Sequence, residues 1–158
     1  ELDEDIVNYI KREMNLAIGN TTAEQIKIQI GCAMPLMTEM SMDVRGRDLA
    51  SGFPRNIKVT STQIEEAIKE SINKIVDIVK LTLEKTPPEL ASDIMEKGII
   101  LAGGGALIKN LDKLLSNETG MPVYVADEPL DCVVRGTGKT LDDLERLKTV
   151  LVNSRKRR

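Results

Sequence analysis

The 158-residue chain is 41% hydrophobic and 30% charged with no long low-complexity tract, a globular composition with enough apolar material for one ordinary domain or two small subdomains. Aromatics make up only 2% and the net charge is −3, so the core must be Ile, Leu, Val and Met, and neither base-stacking platforms nor a global attraction to nucleic acid is available. Histidine is absent and Cys32 and Cys132 are the only cysteines, which excludes zinc-ligand spacing and a His-based triad and suits a reducing, cytosolic protein with buried thiols.

The chain opens on Glu1 rather than Met, directly on a helical pattern, which suggests a processed chain or an excised piece. No signal-peptide pattern and no bilayer-length apolar run is read. A first helix is predicted from Asp3 or Asp5, with Ile6, Tyr9, Ile10 and Met14 or Leu16 on one face and Gly19 closing it. Thr21-Thr22-Ala23-Glu24 has the form of a capping box, opening a second helix with Ile26, Ile30 and Ala33 inside. Met40, Met42 and Val44 alternate with Glu39, Ser41, Asp43 and Arg45; a turn over 46–53 and a second alternation around Ile57 and Val59 complete an antiparallel hairpin. From about Thr60, the stripe Ile64, Ile68, Ile72, Ile75, Val79 and Leu83 predicts one long helix through Lys85. Thr86 is expected to cap the next helix, with Pro87 at its first position and Glu89 as reciprocal partner, and Gly98 to end it.

The run Gly98-Ile99-Ile100-Leu101-Ala102-Gly103-Gly104-Gly105-Ala106-Leu107-Ile108 organises the rest. Its apolar half predicts a strand buried on both faces, as in parallel sheets under helices. The glycines permit positive φ and close approach of a ligand to the backbone, and the following helix presents unpaired N–H groups. Strand, glycines and helix make a nucleotide-facing corner or, on the residues alone, simply a tight turn. The dinucleotide fingerprint G-x-G-x-x-G fails, because Ile108 stands where the third glycine belongs. Pro122 to Ala126 form a second short strand, giving a right-handed parallel βαβ unit. Pro129 starts a short helix through Val134, and Leu141, Leu144 and Leu147 lie on a last one. Between them, Gly136-Thr137-Gly138-Lys139-Thr140 imitates the end of a P-loop, but Val133 replaces the required first glycine, so the segment reads as a helix–helix corner. Arg155-Lys156-Arg157-Arg158 reads as a solvated tail. Two core strands are a poor central sheet, so further strands are expected from another chain or from sequence preceding Glu1.

Several of these segments, in order, resemble the MreB family of bacterial actin homologues. They are Gly98 to Ile108, Leu111-Asp112, Glu118 to Val123 and Pro129 to Gly138, joined by Thr22 to Gly31 and Lys85 to Ala91. The resemblance runs from Glu1 to the tail. It implies the second lobe of an actin-like ATPase fold: α/β, with an α+β upper subdomain and an incomplete central sheet. Residues 1–19 would form a helix leading from the lower to the upper subdomain, 20–70 the small upper subdomain, 71–150 the large lower one and 151–158 a basic tail. The phosphate-binding hairpins and catalytic acidic residue of the superfamily would precede Glu1.

The resemblance also implies that ATP is the ligand, with Mg²⁺ held mainly by the other lobe. The adenosine motif maps onto Gly103, Gly104, Gly105 and Ala106, and the ribose and base contacts onto Glu24 and Lys27. Those two stand at i and i+3 of one helix and share a face. Glu24 is also the last member of the Thr21 box, so a cap competes with the ribose role. Implied partners are other copies in a head-to-tail filament, a RodZ-type membrane shape protein and the cell-wall synthesis machinery, at the inner face of the membrane in rod-shaped cells; the basic tail could add attraction to anionic lipid. A stand-alone interaction module without nucleotide and a sugar-kinase-type enzyme of the same superfamily are the competing readings.

Overall fold

The computed structural model describes residues 1–143; the Leu144–Leu147 part of the expected last helix and the basic tail lie outside them. Helix α1 spans Leu2–Met14 and inserts Ile6, Tyr9 and Ile10 into the core. It ends at Asn15, whose φ of 53° is left-handed, and not at Gly19. Asn tolerates that conformation as few side chains do. The chain is thereby turned early enough to add an unexpected strand, β1 (Leu16–Ala17).

Helix α2 (Asn20–Ile30) follows, burying Ala23, Ile26 and Ile30. The hairpin is as expected in type, with β2 (Ser41–Asp48) antiparallel to β3 (Pro54–Thr60) and Val44 opposite Ile57. Its first strand continues through Gly46, so the turn is tighter than 46–53. Asp48 holds that turn: it accepts from the Ala50 and Ser51 N–H groups at 3.0 and 2.8 Å and pairs with Arg55 at 2.6 Å. The Ser51 N–H, foremost among these, keeps its carboxyl below the usual carboxylate range. β1 pairs antiparallel with β2 to complete a three-stranded sheet in the order β1-β2-β3.

Helix α3 (Ser61–Glu84) starts with a true capping box, Thr60 with Gln63. Its inner face is Ile64, Ile68, Ile72 and Val76, a strict four-residue step; Ile75 lies outside it at 36% exposed. The core packs α1, α2 and α3 on the inner face of the three-stranded sheet and continues through Ile108 into Leu111 and Leu115 of the helix that follows the glycine run.

The remaining elements are barer. Helix α4 (Pro88–Lys97) has Pro87, not Thr86, at its cap, and no side chain caps it. Thr86 Oγ1 instead donates to the Thr82 carbonyl at 2.7 Å, which removes the Thr86–Glu89 box. β4 (Ile99–Leu101) and β5 (Val123–Val125) pair in parallel, flanking α5 (Leu111–Thr119), as the βαβ reading requires. However, β4 is not buried on both faces: Ile100 is 61% exposed. Helix α6 (Cys132–Asp142) runs straight through Gly136 and Gly138, so the expected corner does not exist and the short helix ending at Val134 does not end there. Thr137 and Thr140 donate their hydroxyls back to the Val133 and Gly136 carbonyls, as helical Thr can. The P-loop imitation is a helix surface. Among the described residues, no helix is long and apolar enough to cross a membrane.

Candidate functional site

The glycine run does not lead straight into a helix. Gly103 has a φ of 82°, its N–H donates to the Pro129 carbonyl at 2.7 Å, and a single 3₁₀ turn, Gly104–Leu107, follows. Asn110 at φ 61° then redirects the chain into α5. The positive φ demanded of a glycine thus falls on Gly103. Gly104 and Gly105 are needed, if at all, for the space beside them. A β-carbon at Gly104 would meet only Leu130 Cδ2 at 3.4 Å, and one at Gly105 nothing within 4 Å. Neither residue's N–H donates to a backbone carbonyl among the described residues.

That space is a cavity of about 360 Å³, lined by Gly104, Gly105, Leu107, Ile108 and Leu130 on one side and by Glu24, Lys27, Ile28 and Leu2 on the other. Of the residues singled out in the sequence, Glu24, Lys27, Gly104 and Gly105 therefore converge on one concave surface. Gly103 shapes the turn from behind, and Ala106, 6% exposed, packs inward without lining it. The volume lies at the low end for small-molecule sites, and the lining of apolar walls with few polar groups has the usual composition.

Two strap contacts fix the distance between the walls. The segment after α2 pairs with the segment after the 3₁₀ turn through a parallel bridge, Cys32 to Lys109, with Ala33 N–H donating to the Lys109 carbonyl at 2.8 Å. Lys109 Nζ donates to the Ile28 and Gln29 carbonyls at 3.3 and 2.8 Å, satisfying the end of α2. Cys32 is buried at this joint, and burial pushes its thiol pKa up.

The competing role of Glu24 disappears in the structure. Helix α2 is capped by Gly19, with Ala23 N–H donating to the Gly19 carbonyl at 3.1 Å, so Thr21 is already helical and no side chain caps the helix. The Thr21–Glu24 box does not form. The carboxylate of Glu24, one turn farther along, is exposed and free to face the cavity. Lys27 is only 23% exposed at its side chain, and its Nζ lies 2.8 Å from Asp3 Oδ1 on α1. Asp3 was not recognisable from sequence as part of this surface, since it reads there as a residue that starts the first helix, whereas α1 already begins at Leu2 and Asp3 stands in its first turn.

The profile of the MreB/Mbl protein family matches residues 1–149. The cell shape-determining protein Mbl of Bacillus subtilis is 49% identical over 147 residues, which cover 93% of this chain and 44% of Mbl. The cell shape-determining protein MreB of Escherichia coli K12 is 51% identical over 143 residues, covering 90% of this chain and 41% of that protein. The chain thus spans less than half the length of the curated relatives it matches. Among solved structures, MreB5 of Spiroplasma citri bound to ADP superposes with a TM-score of 0.87 at 42% identity, over 92% of this chain and 44% of that one. A MamK double helical filament shares the fold at a TM-score of 0.65 and 21% identity, over 82% of this chain and 40% of MamK's. With a family match over residues 1–149 and an α/β architecture whose sheets are small and incomplete, this chain belongs to the MreB/Mbl family of cell shape-determining proteins and has an actin-like fold.

Proposed function

We propose that this chain is the adenosine-binding half of an ATP-binding, filament-forming cytoskeletal protein that maintains rod shape by organising cell-wall synthesis. The observation that carries the nucleotide reading is the convergence of Glu24, Lys27, Gly104 and Gly105, from distant parts of the sequence, on one cavity. The chemistry fits: Ile28, Leu107, Ile108 and Leu130 suit a flat apolar base, a free carboxylate accepts ribose hydroxyls, and an ammonium donates. The open space at Gly105 accepts a ligand against bare backbone. Related structures are described as bound to ADP and AMPPNP, which supports the same assignment. ATP, with Mg²⁺ held mainly by residues outside this chain, would supply the energy that couples polymerisation to hydrolysis. Filament formation is supported by the MamK filament of the same fold. The filament would lie at the cytoplasmic face of the membrane, with a RodZ-type shape protein and the synthesis machinery as partners. Residues 20–70 would act as the upper subdomain and 71–150 as the lower.

The test is nucleotide titration of the intact protein carrying Gly104→Val or Lys27→Ala. Gly104→Val is an informative probe, because Gly104 lines the cavity, a β-carbon there would meet only Leu130 Cδ2 at 3.4 Å, and Gly104 has no positive φ. ATP affinity is expected to fall well beyond any loss in melting temperature. Lys27→Ala is expected to lose about ten- to a hundredfold, from one charge-assisted contact of roughly 1.5–3 kcal/mol. A folded Gly104→Val with unchanged ATP affinity would return the glycine turn to a purely structural role.

A further inference from the structure

Lys27 does not enter the cavity as a free cation. Its ammonium is 2.8 Å from Asp3 Oδ1, an oxygen with no solvent exposure and no hydrogen-bond partner apart from this ion pair. Asp3 stands beside Leu2, itself a lining residue, so the pair sits at the cavity wall where α1 meets α2. The two side chains are 34% (Asp3) and 23% (Lys27) exposed, so the pair is partly desolvated, and the enclosed oxygen holds the ammonium because it would otherwise be left with no partner. An ammonium has three donors, and one spent on Asp3 leaves others to face a ligand.

We infer that Asp3 is a positioning residue that keeps Lys27 on the cavity wall and neutralises it, so that Lys27 serves as a hydrogen-bond donor to the nucleoside and not as a counter-charge to the phosphates. This rests on the adenosine reading of the cavity. Its consequence is a specificity rule: the preference of the site for ATP over adenosine follows the net charge of the Asp3–Lys27 pair, whereas the donor contact is lost equally for both ligands.

Three variants of the intact protein, titrated with adenosine and with Mg·ATP, test the rule. Asp3→Asn leaves an unpaired positive charge and is expected to raise the ATP-to-adenosine affinity ratio by about three- to tenfold, an increase that added salt erodes. Lys27→Gln leaves an unpaired negative charge and lowers the ratio by a similar factor. The double variant Asp3→Asn/Lys27→Gln keeps a neutral, hydrogen-bonding pair at the wall, protects against a folding failure of either single change, and is expected to weaken both ligands by the same factor. A merely structural Asp3 would shift melting but not the ratio. A double variant that loses about tenfold more affinity for ATP than for adenosine overturns the inference, since Lys27 then leaves Asp3 for the phosphates. An unchanged ratio in a folded Asp3→Asn overturns it too. If the wild type binds neither ligand, the nucleotide reading itself fails and takes this inference with it; binding by the wild type with either adverse result removes the inference alone.

Discussion

Tyr9 shows what a single polar atom does at the packing surface of two helices. It is 8% exposed where α1 meets α3, and its hydroxyl donates to Glu66 Oε2 at 2.9 Å. Burial first, and the Glu66 carboxylate second, push its pKa up from 10.0 to about 12. The neutral phenol is the form the folded chain favours. Its contribution to stability is therefore complete below the ordinary phenol value and is lost as pH rises through about 12. Ultraviolet titration of the wild type minus Tyr9→Phe is expected to show a phenolate transition near pH 12, and the variant to lose less stability than the wild type above pH 10. A difference transition at the ordinary phenol value would contradict the buried hydrogen bond. The sequence placed Tyr9 on the inner face correctly, but its acceptor lies 57 positions away and was invisible.

At the scale of elements, the junction after α2 is where local pattern and tertiary demand part. The two segments read as capping boxes, Thr21–Glu24 and Thr86–Glu89, form none, and the box that does form, Thr60–Gln63, was not singled out in the sequence. The motif is short, and each helix starts where the preceding chain direction lets it: at Gly19, which is extended, and at Pro87. Gly31 closes α2 with an N–H donated to the Lys27 carbonyl at 3.0 Å, and a β-carbon there would lie 2.4 Å from that oxygen. Backbone cannot yield as a side chain can. Gly31→Ala is expected to destabilise the fold by about 1–3 kcal/mol. It should also displace Lys27, and with it the strap to Lys109, so nucleotide affinity of the intact protein should fall even where the variant remains folded. Melting and titration of the same sample check both; a neutral Gly31→Ala would mean that α2 can slide without consequence.

For the whole molecule, burial is uneven. Helices α1, α2, α3 and α5 and the three-stranded sheet share one core, against which Leu101 and Val123 of the β4–β5 pair lean, whereas α4 and α6 bury no residue fully. Ile100 and Tyr124 are 61% and 54% exposed on that pair, and Leu130, Val133, Val134 and Leu141 are exposed apolar residues as well. Each strand of a two-stranded sheet has an open edge, and such edges recruit other chains. The chain by itself is expected to self-associate at high micromolar concentration, by edge pairing or head to tail; a strictly monomeric light-scattering mass would count against both. It is also expected not to hydrolyse ATP alone, because phosphoryl transfer needs Mg²⁺ at the phosphates and a positioned water. Chelator-sensitive phosphate release above the buffer background would contradict this.

Taken by itself, the sequence determined what depends on neighbours close along the chain. Period-four apolar stripes made α1 and α3, alternation made the β2–β3 hairpin, and a short apolar run before glycines made β4. Motif order identified the family and, as an expectation, pointed to Glu24, Lys27, Gly103, Gly104, Gly105 and Ala106, of which Glu24, Lys27, Gly104 and Gly105 line one cavity. Tertiary structure alone decided the burial of β4, because an apolar run records a preference for burial and not the presence of a covering layer. It alone carried α6 through two glycines and put β1 beside β2. It also settled the side chains at the cavity: Glu24 was released from its apparent cap by where α2 begins, and Lys27 was tied to Asp3 by the packing of α1 on α2. Twenty-four positions separate Asp3 from Lys27, and no local periodicity couples them. Their meeting is a product of the packing of α1 on α2, which encloses Asp3 Oδ1 and leaves the Lys27 ammonium as its partner.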